Sequence, residues 1–281
     1  MRGHSQHYSG DAQPAYIVSA YKRPDLLRRL LKTLDPAPIS LHVDAKVDID
    51  AFAPLPSQVV QLPRHICHWG LFGHVAASLE GLSWFLTTQA SHAILLTGQC
   101  YPLASQQVIR DYLAFLGDRS QMEIHPMPIA KWGKSGGMER IDRFHAHVLG
   151  RSRKAPFFRR QIPYGLKPYG GGGYWCMSRK HVAYIMSVIE ERPNIVRFFK
   201  SSLIPDEIFF HTILANSPFF GEIITHPINF SKWKTDRWNP EILAVEDIGP
   251  AHASGALFAR KFEDLAVLDV LDDHIRCHCR D

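Results

Sequence analysis

Nowhere in the 281 residues do about 20 apolar residues follow one another, which leaves no candidate for a membrane-spanning helix. The opening MRGHSQHYSGDAQP carries no apolar core of a secretory signal either, and residues 1–13 read as a disordered leader outside the fold. The glycine run Gly170–Gly173 has neither the phosphate-loop spacing nor the GxGxxG of dinucleotide folds, so it is no phosphate cradle. Neither Asp44 nor Asp206 has a second aspartate two residues away, the usual arrangement for holding a divalent ion on a sugar nucleotide. Cysteine is sparse and odd in number, with Cys67, Cys100, Cys176, Cys277 and Cys279 scattered through or beside apolar runs. That pattern points to a reducing compartment, and the expected location is cytoplasmic. Dense charge runs are also missing: 32 basic against 27 acidic residues give a net +5, enough to favour an anionic small ligand but not a nucleic-acid tail.

What is present suits a packed core, with 46% hydrophobic and 11% aromatic residues. AYIVSAY at 15–21 reads as a strand and RPDLLRRLLKTL at 23–34 as a helix with proline in its first turn. Strands follow at 39–45 and 57–62, a helix at 74–90, a fully apolar strand at 92–98, a helix at 105–116 and a strand at 121–127. This alternation implies an α/β protein with a mostly parallel sheet and helices on both faces. In such sheets ligands lie beyond the carboxyl ends of the strands, here residues 19–23, 44–46 and 98–102. Between 131 and 173 the periodicity fails, and the stretch reads as a flexible functional loop inserted in a single domain spanning 14–281. Beyond it come a strand at 174–178, helices at 180–190 and 208–216, a strand at 222–226 and an amphipathic helical tail from 262.

Pro205-Asp206-Glu207 precedes an apolar helical run, where a carboxylate either caps the helix or is held for catalysis. In ALFARKF, Arg260 and Lys261 stand between apolar neighbours, as cations do at the rim of a cleft that takes a diphosphate, or on an ordinary surface. Trp69 and Trp175 suit either sugar stacking or the core. His274, Cys277, His278 and Cys279 are metal-ligand types, but their spacing is too tight and lacks a second ligand pair. The basic, aromatic stretch around Arg159, Arg160, Tyr164, Lys167 and Tyr169 could touch a nucleic-acid backbone, yet it is one loop and not a face.

Seven blocks in order, AYIVSAYKRPDLLRRLLKTL, LHVDAK, HWGLFGHVAASLEGL, ILLTGQCYPL, GGGYWCMSR, PDEIFFHTIL and ALFARKF, resemble the core 2 and I-branching β1,6-N-acetylglucosaminyltransferases, a family that includes the peptide O-xylosyltransferases. The resemblance covers roughly residues 15–274. It implies a GT-A-type fold and an inverting transfer of GlcNAc or xylose from a UDP-sugar to a hydroxyl of a glycan acceptor, with no cofactor and no divalent metal required. It assigns Glu207 as general base and Val18, Asp44, Arg237, Arg260 and Lys261 to the UDP-sugar donor. Trp175 and Asp206 fall on the acceptor side. An unperturbed glutamate titrates near about 4.3 and is ionised at neutral pH without help. Cys100 stands where the family commonly has an aspartate, so an acidic contact at the sheet edge is missing. The implied partners are the sugar nucleotide and a glycan, with no nucleic acid; peripheral association with a membrane-linked glycan acceptor is compatible with this. The alternative is a non-catalytic glycan- or nucleotide-binding module of the same fold.

Overall fold

The computed structural model describes residues 12–148, 151–154, 159–234 and 239–278. The chain begins with β1 (Pro14–Ala20), α1 (Pro24–Leu34), β2 (Ile39–Val43), β3 (Val59–Gln61), α2 (Gly73–Thr87) and β4 (His92–Thr97). Then come β5 (Tyr101–Pro102), α3 (Gln106–Leu116), β6 (Ser120–Met122) and β7 (His125–Pro126). The middle carries the hairpin β8 (His145–Val148) and β9 (Arg151–Lys154), then β10 (Tyr169–Gly170), β11 (Trp175–Ser178), α4 (Arg179–Glu191), α5 (Pro193–Phe199) and α6 (Phe209–Ala215). The last elements are β12 (Ile223–Ile224), β13 (Asn229–Ser231), α7 (Ile248–Ala253), β14 (Phe258–Arg260) and α8 (Leu265–His278).

Seven strands form the main sheet in the order β12-β6-β11-β4-β1-β2-β3. All pairings are parallel except those of β11, which runs against both β4 and β6. The expected α/β sheet with helices on both faces is therefore what forms. Alternation along the strands sorts side chains between two cores. Tyr16, Val18 and Ala20 point with Leu41, Ile94 and Leu96 toward α1, α3 and α8, whereas Ala15, Ile17 and Ala93 point toward α2, α4 and α6. Both faces being covered explains why β1 and β4 read as unbroken apolar runs. In α1 the leucines at 26, 27, 30, 31 and 34 are all buried, and each contributes about 1.5–3 kcal/mol by leaving water.

Among the described residues of 131–173, expected to be a flexible loop, there are short 3-10 turns at Ala130–Trp132, Met138–Arg140 and Pro163–Gly165, the β8–β9 hairpin, and β10 paired with β7. These pieces are too short to leave a periodic signature, which is why pattern reading missed them. The expected strand at 121–127 is likewise split into β6 and β7, and α5 was not anticipated at all. The chain moves outward from β1 to β2 and β3, then crosses back to place β4 on the other side of β1. The carboxyl ends of β1 and β4 thus flank the point where strand order reverses, the position at which open α/β sheets bind ligands.

Gly81 of α2 lies against Ile17 of β1, and a Cβ there would overlap the isoleucine side chain. Alanine is worth up to about 1 kcal/mol over glycine in a helix, but overpacking a core costs about 1–3 kcal/mol. Gly81→Ala should therefore lower the midpoint of urea unfolding despite its better helix propensity.

Candidate active site

The loops that leave the carboxyl ends of β1 and β4 meet on one residue. Lys22 Nζ lies 2.6 Å from Glu263 Oε1, Gln99 Nε2 donates to the same oxygen at 3.0 Å, and the Arg23 guanidinium donates to the Glu263 carbonyl. Lys22 first, then Gln99, hold the Glu263 carboxyl below the ordinary glutamate range, although burial opposes them. Lys261, 17% exposed, has its ammonium 3.9 Å from the same carboxylate. Burial and then the repulsion of Lys22 lower its pKa, against the attraction of Glu263. Arg260 extends the cluster: its guanidinium lies 4.7 Å from the centroid of the Tyr174 ring, and its buried Nε has no hydrogen-bond partner. Two sequence-assigned donor residues, Arg260 and Lys261, are thus joined by Lys22, which pattern reading did not single out although it named the strand end that carries it.

Asp44, at the end of β2, is buried; its Oδ1 accepts from the amides of Lys46 at 2.9 Å and Cys67 at 3.4 Å, and its Oδ2 lies 3.3 Å from Lys46 Nζ. Burial alone would raise its pKa, but the two amides and the ammonium outweigh it and keep the carboxylate charged. Arg64 locks this loop by donating to the carbonyls of Val43, Asp44 and Val47. Asp48-Ile49-Asp50 does have the Asp-x-Asp spacing, a feature passed over in the sequence, but Asp48 Oδ1 accepts the Asp50 amide at 3.0 Å and so serves the turn that follows.

Pro205-Asp206-Glu207 forms its own 3-10 turn, and α6 starts only at Phe209, with no side-chain cap. Capping is therefore not what these carboxylates do. The turn is entered through Ile204 at φ 48°, and the only other described non-glycine residues with positive φ are Arg23 and Tyr164. A β-branched residue held there is strained, and such strain concentrates at functional sites. The Ile204 amide is fixed to the Gly70 carbonyl at 2.8 Å and that of Leu203 to the Arg140 carbonyl at 2.8 Å.

The Glu207 side chain is 29% exposed, and its Oε2 accepts from Arg140 Nη1 at 2.6 Å. Arg140, only 8% exposed, has its guanidinium 3.8 Å from the centroid of the Trp132 ring. Burial first, and then the charge of Asp206, push the Glu207 carboxyl up to about 7 against the pull of Arg140. The expectation of an unperturbed glutamate is thus corrected, because the degree of burial was invisible in the local sequence.

The glycine run packs directly on this turn. Gly171 N–H donates to the Glu207 carbonyl at 3.0 Å, a Cβ on Gly170 would sit 2.5 Å from Trp132 Cη2, and one on Gly173 would stand 3.5 Å from Asp206 Oδ2. His211 of α6, wholly buried and lowered to about 4 by that burial, stays neutral and donates from Nε2 to the Gly172 carbonyl at 3.0 Å. Tyr174 then connects the two halves, since its phenol, raised by burial, feels both Arg260 and Asp206. Cys67 likewise feels Asp44 and Asp206. Asp206 and Glu207 both flank Gly173, the residue before Tyr174.

Other assigned residues fall elsewhere. Val18 is fully buried in the centre of β1, so its side chain packs in the core and cannot meet a donor. Trp175 is corrected too: it is 0% exposed and stacks edge-on against Phe210 at 5.6 Å, so it is a core residue and not an acceptor platform. Tyr174, one residue earlier and packed against the opposite core, is the aromatic that reaches the site. Trp69, 58% exposed, flanks Gly70 and the turn. Arg237 lies outside the described residues, as does Cys279 of the C-terminal cluster. Cys100 turns back to Thr97, with Sγ 3.3 Å from both its amide nitrogen and its hydroxyl. A separate groove of about 570 Å³ lies between α2, α4 and α5 and holds none of these groups.

A family model described as Core-2/I-Branching enzyme matches residues 15–254. The chain belongs to that family. Its sheet, with one antiparallel strand among parallel ones, is of the GT-A type the resemblance implied. Xylosyltransferase 2 of Rattus norvegicus is 24% identical over 309 residues, 93% of this chain and 33% of that protein. A Beta-glucuronosyltransferase of Arabidopsis thaliana is 28% identical over 214 residues, 72% of this chain and 47% of that protein. The chain therefore spans less than half the length of these relatives. Among solved structures, a mannose-1-phosphate geranyltransferase from Thermus thermophilus overlaps at a TM-score of 0.35 with 15% identity over 70% of this chain and 67% of that one, too loose a likeness to argue from.

The glycines of this family member differ in what they tolerate. A Cβ on Gly171 would drive into the Glu123 carbonyl, which is backbone and cannot yield, whereas one on Gly173 makes ordinary contacts. Gly171→Ala should cost at least about 1–3 kcal/mol of stability, while Gly173→Ala should stay within about 0.5 kcal/mol; thermal unfolding of the two variants side by side checks this.

Proposed function

We propose that the chain is an inverting glycosyltransferase that moves a sugar from a UDP-sugar onto a hydroxyl of a glycan acceptor, with Glu207 as general base. The reading rests on one observation above the others: the partly exposed carboxylate of Glu207 packs beside Gly173, and the next residue, Tyr174, has its ring facing the Arg260 guanidinium of the cationic cluster. The names of the relatives favour xylosyl or glucuronosyl donors, and the wider resemblance adds GlcNAc.

In this reading the acceptor hydroxyl gives its proton to Glu207 as its oxygen bonds the anomeric carbon from the face opposite the nucleotide. The bond from that carbon to the diphosphate breaks, and its electron pair leaves with UDP. Lys261, Lys22 and Arg260 take up the charge that develops there, acting as preorganised cations in place of a divalent ion. Glu263 faces Lys22 and Lys261 and offsets one of their two charges, leaving a net positive charge to meet the diphosphate. Asp44, held ionised beside Lys46, offers a carboxylate that can accept from nucleoside hydroxyls or an imide N–H.

Glu207→Gln should reduce transfer by about 10²–10⁴-fold, the usual worth of a general base, while UDP still raises the melting temperature. Transfer at full rate by that variant would sink the assignment, and loss of wild-type turnover in EDTA would remove the metal-free part. Because only the ionised base accepts a proton, kcat/KM should climb as pH rises through about 7. Lys261→Met should weaken UDP binding about 10–100-fold, the range for a lost charged hydrogen bond, with a shallower salt dependence in calorimetric titrations.

A further inference from the structure

We infer that Arg140 is the positioning residue of the base: by binding Oε2 of Glu207 from a stacked, buried seat, it leaves Oε1 as the oxygen that meets the acceptor. The inference rests on the reading of Glu207 given above and concerns a residue that neither motif order nor spacing marked. Three independent contacts make the seat. The guanidinium is 2.6 Å from Glu207 Oε2 and 3.8 Å from the Trp132 ring centroid, and the Arg140 carbonyl accepts the Leu203 amide at 2.8 Å, just before the catalytic turn. Trp132 is itself clasped by Gly137 and Gly170, where a Cβ on either would meet its ring. A guanidinium sandwiched in this way loses little rotamer freedom on pairing.

The charge matters as much as the geometry. Glu207 is faced by Asp206 from its own turn and by Glu123 from the segment after β6, both of which favour its protonation. Glu123 is partly neutralised by Lys131 and has His125 Nε2 3.3 Å from its Oε1, and His211 of α6 is uncharged. Arg140 is therefore the cation that keeps the base ionised when acceptor binding excludes water. It transfers no proton and touches no reacting atom.

The test compares Arg140→Met, Arg140→Gln and Arg140→Lys, each as pH profiles of kcat/KM with a UDP-sugar donor and as UDP melting shifts. Loss of the cation should move the acid limb of the Met and Gln variants up by about one pH unit or more. It should also lower kcat at the optimum by about tenfold or more through misplacement of the carboxylate, with donor KM unchanged. Arg140→Lys, which keeps the charge, should hold the limb near that of the wild type. An acid limb of Arg140→Met that coincides with the wild type overturns the inference; if that variant does not fold, the same result in Arg140→Gln does so. Failure of the underlying reading looks different, because Glu207→Gln would then remain active whatever the Arg140 variants do.

Discussion

The Glu207–Arg140 ion pair sets two opposed demands against each other: a carboxylate proposed to accept a proton near neutrality has to be shielded from water enough to be basic, yet paired enough to stay charged. Burial and Asp206 push one way, and the guanidinium pushes the other. A largely buried pair contributes little net stability once desolvation is counted, so folding alone does not account for its place, whereas the role proposed for Glu207 does. The rest of the site supports that pair. The 3-10 turn gives Glu207 its direction, the strained Ile204 starts the turn, and the Gly70 and Arg140 carbonyls hold the preceding amides.

The cationic cluster obeys a different constraint. Parallel strands deliver their carboxyl-end loops to one edge of the sheet, and the reversal of strand order between β1 and β4 leaves a crevice there. Lys22 from one loop and Gln99 from the other reach the same Glu263 carboxylate, with Lys261 next to it. The topology, and not any local motif, is what brings residues 241 positions apart within 2.6 Å.

Much of this was legible in the sequence, and the failures have identifiable causes. The strands buried on both faces announced themselves as continuous apolar runs, and the order of motif blocks brought the assignment of Glu207, Arg260 and Lys261. Trp175 misled because a strand residue's face depends on register, and a single aromatic carries no register information. Val18 failed for a different reason: β1 is covered on both faces, so either register would put its side chain in a core. Arg140 was hidden in a segment whose turns and two-residue strands are too short for periodicity, so that its partner 67 positions away could be found only in three dimensions. The pKa of Glu207 was equally out of reach, since burial is a property of the packed molecule.

The four successive glycines at 170–173 have one more consequence. Such a segment has the largest conformational freedom to lose when the chain orders, and no side chains of its own with which to recover it. Its position is fixed from outside, by the Gly171 amide on the Glu207 carbonyl and by the neutral imidazole of His211 on the Gly172 carbonyl. The floor beneath the two carboxylates is thus main chain alone, a smooth surface whose shape is set by the protein's interior, so that the outline of the cleft at that point is inherited from α6.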